Sequence, residues 1–66
     1  MIRVLILGGT RDAVDLAGAA AALDGTEVVY SLAGVTREPN LLGCQVRTGG
    51  FGGPEGLGEY IQSTGI

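Results

Sequence analysis

An apolar run at residues 4–7, Val-Leu-Ile-Leu, breaks directly into Gly8-Gly9-Thr10-Arg11-Asp12 and resumes as a helical pattern from Ala13. This is the order of a strand, a tight glycine turn and a helix start. A helix that opens behind such a turn presents backbone N–H groups with no intrahelical partner, together with the positive end of the helix dipole. It therefore favours a phosphate or a carboxylate. The stretch reads as the phosphate-binding turn of a dinucleotide fold, and the rest of the chain has to be compatible with that start.

Size and composition limit what can be built around it. A chain of 66 residues buries little surface and is comfortable only with a covalent or metal staple. Cys44 is the single cysteine and there is no histidine, which excludes an internal disulfide and a zinc-ligand cluster. A lone thiol fits a reducing compartment and fits equally a small apolar filler. Four Lys+Arg against seven Asp+Glu leave a net charge of -3, which argues against nucleic acid or an anionic membrane as a general partner. Any bound anion has to be held locally. The N-terminal apolar run ends at Leu7, too short for a signal-peptide core or a membrane span, so a cytoplasmic address is expected.

Residues 3–7 form a continuous apolar stretch, the pattern of a parallel strand covered on both faces. Thr10 suits the N-cap of the following helix and Asp12 its first turn. Ala13, Leu16, Ala17, Ala20 and Leu23 recur at helical spacing, and the alanines would let the helix lie close to a sheet. Asp24-Gly25 is expected to end it, with the glycine as a left-handed C-cap. Residues 27–32 are β-rich and complete a right-handed β-α-β unit with parallel strands. Residues 33–43 read as a loop crossing an edge of the sheet, and residues 45–48 as a short third strand. Gly49-Gly50-Phe51-Gly52-Gly53 is a second glycine-rich turn. Pro54 suits the first position of a helix that carries Leu57, Tyr60 and Ile61 at helical spacing and ends at Gly65. Gly56 and Gly58 weaken that helix by roughly 1 kcal/mol each relative to alanine, which makes sense where something packs or binds close to it.

The fold expected is thus α/β: a Rossmann-like parallel sheet of three strands with two helices, residues 1–66 being the N-terminal part of a larger doubly wound fold. Ile66 reads as the first residue of a further strand. The unit is expected to be incomplete, without a second domain, and its exposed sheet edge to be open to the remainder of the protein or to a second copy.

Gly8-Gly9-Thr10-Arg11-Asp12-Ala13, then Ser31-Leu32-Ala33-Gly34-Val35-Thr36-Arg37, then Gly49-Gly50-Phe51-Gly52-Gly53 with Gly56-Leu57 behind it, resemble the start of the precorrin-6A reductases of cobalamin biosynthesis. The resemblance runs through the whole chain and covers about the first quarter of such an enzyme. It implies a two-domain protein with a Rossmann-like N-terminal half, NADPH as hydride donor and a polyanionic tetrapyrrole-derived macrocycle as substrate, with or without cobalt. It also implies that the isolated segment supplies cofactor binding and is itself inactive. Three positions depart from the family pattern: Asp12 stands for the more common glutamate, and Val14 and Val35 each for a frequent arginine. The phosphate or substrate contacts of those two arginines are therefore not carried over.

The expected cofactor-binding residues are Gly8, Gly9, Thr10, Arg11, Ser31, Ala33, Gly34, Thr36, Arg37, Gly50, Phe51, Gly52 and Gly53. Gly8 and Gly9 would let the backbone approach the cofactor. Thr10 would donate its N–H and hydroxyl to phosphate, and Arg11 would pair with that phosphate or remain solvated. Taken alone, Gly8-Gly9-Thr10 departs from the G-x-G-x-x-G spacing and is equally an ordinary strand-to-helix turn. Ser31 ends the second strand, where an NAD-preferring site places an acid on the ribose hydroxyls. A hydroxyl there, with Thr36 and Arg37 following, suits a 2′-phosphate and leans towards NADP. Arg37 paired with Glu38 on a solvated loop is the alternative. Phe51 offers an apolar face to the nicotinamide or adenine, or else anchors the small core. No catalytic acid or base stands out: Asp12, Asp15, Glu55 and Glu59 read as dipole partners or solvated charges, and Tyr30 and Tyr60 as packing residues. Two other classes remain open, an NAD(P)-binding segment related to nucleotide-sugar epimerases and short-chain reductases, and a non-catalytic nucleotide-binding or assembly module.

Overall fold

The computed structural model describes residues 1–34 and 43–66. Element order is β1 (Ile2–Leu7), α1 (Arg11–Ala21), β2 (Thr26–Leu32), β3 (Cys44–Thr48) and α2 (Pro54–Thr64). The three strands form one parallel sheet in the order β1-β2-β3, as expected for the α/β class. Ile2 to Leu7 pair with Thr26 to Ser31, and Val28 to Leu32 with Cys44 to Thr48. The loop expected across the sheet edge falls for the most part in residues 35–42, outside the described residues.

Register separates the side chains into two faces. Val4, Ile6, Val28, Tyr30, Leu32, Cys44 and Val46 share the face covered by α1, whose Ala13, Val14, Ala17, Ala20 and Ala21 pack against them. Ala17 is fully buried, the result of an alanine stripe that lets helix and sheet approach closely. Leu16 and Leu23, expected on the same apolar stripe, are 58% and 63% exposed. Leu16 points outward while smaller side chains fill the close helix–sheet contact, and Leu23 lies beyond the end of α1.

The other face carries Arg3, Glu27, Val29, Gln45, Ser31 and Arg47, and α2 covers it. Arg3 donates from Nη1 to the Thr64 carbonyl, and the Arg47 guanidinium lies 5.0 Å from the Tyr60 ring centre. Val29 is buried here, outside the α1 cluster. Helices on both faces make the sheet doubly covered, but unevenly. β2 is buried from Val28 to Leu32, whereas β1 exposes Ile2 and Leu7 and so is not the fully covered strand its apolar run implies. The difference follows from position, since β2 lies between two neighbours and β1 has one among the described residues.

Helix ends bear out most of the expected punctuation. Thr10 caps α1, its Oγ1 accepting the Ala13 N–H at 3.1 Å, and Asp12 lies in the first turn. The expected glycine C-cap of α1 is corrected: the helix stops at Ala21, Ala22 caps it in a right-handed conformation, and Gly25 follows in the turn with φ +77°. The Gly25 carbonyl accepts the Ile2 N–H at 2.7 Å, so this glycine ties the turn to the start of β1. α2 begins at Pro54 with Glu55 in its first turn and ends on Gly65 in the left-handed region. The Ile66 N–H donates to the Ile61 carbonyl at 3.1 Å. The lone thiol, Cys44, faces α1, where Sγ donates to the Ala17 carbonyl at 3.6 Å and burial raises its pKa.

The two interior glycines of α2 differ. A Cβ on Gly56 would stand 1.6 Å from the Phe51 carbonyl oxygen, so the loop before the helix folds directly onto this position. A Cβ on Gly58 would meet nothing within 4 Å among the described residues. Gly56→Ala is expected to destabilise the protein by about 1–3 kcal/mol through overpacking against backbone. Gly58→Ala is expected to stabilise it by about 0.5–1 kcal/mol, the helical preference of alanine over glycine. Urea midpoints of the two variants against the parent check both signs.

Candidate functional site

Two glycine turns meet the end of β2 at the carboxyl edge of the sheet. The parallel ladder continues beyond the strands: Gly8 N–H donates to the Ser31 carbonyl at 2.7 Å, and Gly49 N–H to the Leu32 carbonyl at 2.8 Å. These two bonds bring the β1–α1 turn and the 49–53 turn beside the end of β2. In open α/β sheets this edge is where ligands bind. A cavity of about 390 Å³ opens there, lined by Leu7, Gly8, Ser31, Ala33, Gly50, Phe51, Gly53, Pro54 and Leu57. Its lining is apolar or glycine except for Ser31, a composition typical of small-molecule sites with few orienting polar groups.

The first turn is shaped from below by Tyr30. This side chain is 1% exposed, and a Cβ on Gly8 would stand 2.2 Å from its ring. Gly8 is therefore required by the tyrosine beneath it, a reason separate from cofactor approach. Gly9 N–H donates to the Tyr30 hydroxyl at 3.2 Å. Thr10 Oγ1 accepts the Ala13 N–H, and its own proton donates to no acceptor among the described residues. The N–H groups of Arg11 and Asp12, the first two residues of α1, have no intrahelical acceptor by geometry. An anion at this turn would thus be met by those groups and by the Thr10 hydroxyl. The Arg11 side chain is exposed and forms an ion pair with Asp15 at 3.6 Å, one turn along.

At the end of β2, Ser31 is 3% exposed and lines the cavity. Its Oγ accepts a hydrogen bond from Arg47 Nη1 at 2.8 Å, and the same nitrogen donates to the Gly49 carbonyl at 3.1 Å. The guanidinium lies 4.1 Å from the centre of the Phe51 ring, and Phe51 meets Tyr60 edge-on at 5.2 Å. Phe51 therefore lines the cavity and anchors the loop to α2 at once.

Of the expected site residues, Gly8, Ser31, Ala33, Gly50, Phe51 and Gly53 line the cavity together. Gly9, Thr10 and Arg11 belong to the adjoining turn, and Gly34 and Gly52 stand exposed next to lining residues. Thr36 and Arg37 lie outside the described residues. Leu7, Pro54, Leu57 and Arg47 are additions. Arg47 had a visible signal: a cation inside a short strand beside glycine turns, in a sheet covered on both faces, needs partners. Among the described residues no group of three or more His, Cys, Asp or Glu could hold a metal ion, and no helix is long and apolar enough to cross a membrane.

Fold and site together define an α/β protein with a cavity at the carboxyl edge of a parallel sheet. The family model for precorrin-6x reductase CbiJ/CobK matches residues 3–66, and the chain belongs to that family. It is 52% identical over 63 residues to the precorrin-6A reductase of Rhodococcus erythropolis, covering 96% of this chain and 25% of that protein. The precorrin-6A reductase of Rhodobacter capsulatus is 44% identical over 66 residues, covering 100% of this chain and 26% of its own length. Among solved structures, a CobK precorrin-6A reductase superimposes with a TM-score of 0.83 at 44% identity, over 100% of this chain and 26% of that one. The chain thus spans about a quarter of the length of the relatives it matches.

The tyrosine beneath the first turn gives a direct check. Tyr30→Phe keeps the ring against Gly8 and removes the acceptor of Gly9 N–H, so a loss of about 1 kcal/mol in folding stability is expected from equilibrium denaturation.

Proposed function

We propose that the chain is the cofactor-binding segment of an NADPH-dependent precorrin-6A reductase, acting in the cytoplasm on a ring double bond of a tetrapyrrole-derived macrocycle in cobalamin biosynthesis. Family membership supports the reaction class. The observation that supports the role of this segment is the cavity at the carboxyl edge of the sheet, where glycine turns after β1 and β3 meet a serine at the end of β2.

The residues present fit a dinucleotide. Side chains are absent where a ligand backbone would pass: a Cβ at Gly9, Gly50, Gly52 or Gly53 would stand in open space. The first-turn N–H groups of α1 and the Thr10 hydroxyl would hold the pyrophosphate. Ser31 offers a hydroxyl where an acid would repel a 2′-phosphate, with Thr36 and Arg37 following in sequence as its further partners. Leu7, Phe51 and Leu57 would exclude water from a flat ring in the cavity. Bound NADPH supplies the hydride, and this segment's own residues bind and orient it. No residue of the segment is assigned as acid or base.

Calorimetric titration of the protein with NADPH and NADH tests the proposal. Tighter binding of NADPH is expected, with the preference reduced in Arg37→Ala. A folded protein that binds neither nucleotide, or that prefers NADH, would contradict it.

A further inference from the structure

Arg47 brings a positive charge onto the covered α2 face of the sheet, beside the cavity, and its contacts are unusual for a strand cation. The ion pairs among the described residues are Arg3 with Glu27 and Arg11 with Asp15. Arg47 instead meets a hydroxyl, a carbonyl and two aromatic rings. One nitrogen reaches Ser31 Oγ at 2.8 Å and the Gly49 carbonyl at 3.1 Å, while Phe51 and Tyr60 lie 4.1 and 5.0 Å from the guanidinium carbon. The side chain thereby joins the end of β2, the start of the 49–53 turn and the covering helix.

The bond to Ser31 fixes the polarity of that hydroxyl. A serine has one proton to donate and two lone pairs. Because the arginine can only donate, it occupies a lone pair, and the Ser31 proton must point away from it. Ser31 is the polar side chain lining the cavity, so the ligand there meets a hydroxyl turned into a donor with a cation directly behind it. That pairing favours an anionic acceptor over a neutral hydroxyl. A lysine would keep the charge and lose both the planar stacking and the fork of N–H groups.

We propose that Arg47 is a positioning residue that sets cofactor specificity: it holds Ser31 as a hydrogen-bond donor towards the ligand, clamps the 49–53 turn, and so favours a dinucleotide that carries a phosphate on its adenosine ribose. This rests on the nucleotide-binding reading of the same cavity.

The test is calorimetric affinity for NADPH and NADH across the parent protein, Arg47→Ala, Arg47→Lys, Ser31→Ala and the Arg47→Ala/Ser31→Ala double variant, with circular dichroism to establish folding. Arg47→Ala is expected to weaken NADPH binding by about tenfold or more and NADH binding much less. Ser31→Ala is expected to add little in the Arg47→Ala background, because the two residues act as a unit. Equal weakening of both nucleotides, or additive losses in the double variant, would overturn the proposal, since a merely structural arginine moves both affinities together. Should Arg47→Ala not fold, Arg47→Lys carries the test: a lowered preference for NADPH supports the proposal and a parental preference overturns it. A parent protein that binds neither nucleotide would remove the nucleotide reading itself, an outcome distinct from a parent that binds NADPH selectively and a variant that keeps the same selectivity.

Discussion

The contact between Tyr30 and the first glycine turn joins the core of this protein to its site. Tyr30 is the largest fully buried side chain, in the middle strand of the sheet, and its ring lies where any side chain on Gly8 would have to stand. Its hydroxyl accepts the Gly9 N–H, so the residue that fills the core also satisfies a donor in the turn above it. The path of the chain from β1 into α1 therefore depends on a single side chain of β2. A glycine pair that invites explanation by a ligand is explained in part by packing. That packing is compatible with the proposed ligand use, because the first-turn N–H groups of α1 have no intrahelical acceptor.

The two faces of the sheet are built by different chemistry. Against α1, small residues let helix and strands come close, and the buried cluster is hydrophobic, with the Tyr30 hydroxyl turned to the Gly9 N–H. Against α2, the contacts include Arg3 with the Thr64 carbonyl, and Arg47 with Ser31, Gly49, Phe51 and Tyr60. A guanidinium can serve in such a half-buried seam because its charge is delocalised, its edges donate hydrogen bonds and its face stacks on rings. The first face fixes the strand order and the first turn. The second places Phe51 and Leu57 over the cavity.

Much of this was legible in the chain itself. The apolar run before Gly8, the alanine stripe, the Thr10 cap and the Pro54 to Gly65 helix are local signals, and each element begins where those residues predict it within a residue or two, although α1 ends at Ala21, short of the expected Asp24-Gly25 stop. What required the structure was non-local. Leu16 and Leu23 continue the helical spacing of the alanines, yet Leu16 is turned away from the close helix–sheet contact and Leu23 lies past the end of α1. Gly56 and Gly58 look alike in sequence, and only the fold of the preceding loop separates a glycine that touches the Phe51 carbonyl from one that touches nothing described. Arg47 stands out in sequence as a cation within a strand, but its partner does not: the register sets it beside Ser31 across the sheet. The cavity residues predicted from the glycine turns do converge, whereas the roles of Thr36 and Arg37 rest on sequence.

The central claim, that the glycine turns at the carboxyl edge hold a nicotinamide dinucleotide, is tested most directly by following backbone amide resonances of isotopically labelled protein during titration with NADPH. Saturable shifts are expected at residues 8–12, 31–34 and 49–53, the three segments that meet around the cavity, with exposed Leu16 on α1 and Leu23 beyond its end unmoved. Saturable binding that leaves those three segments unperturbed and shifts resonances elsewhere would contradict it.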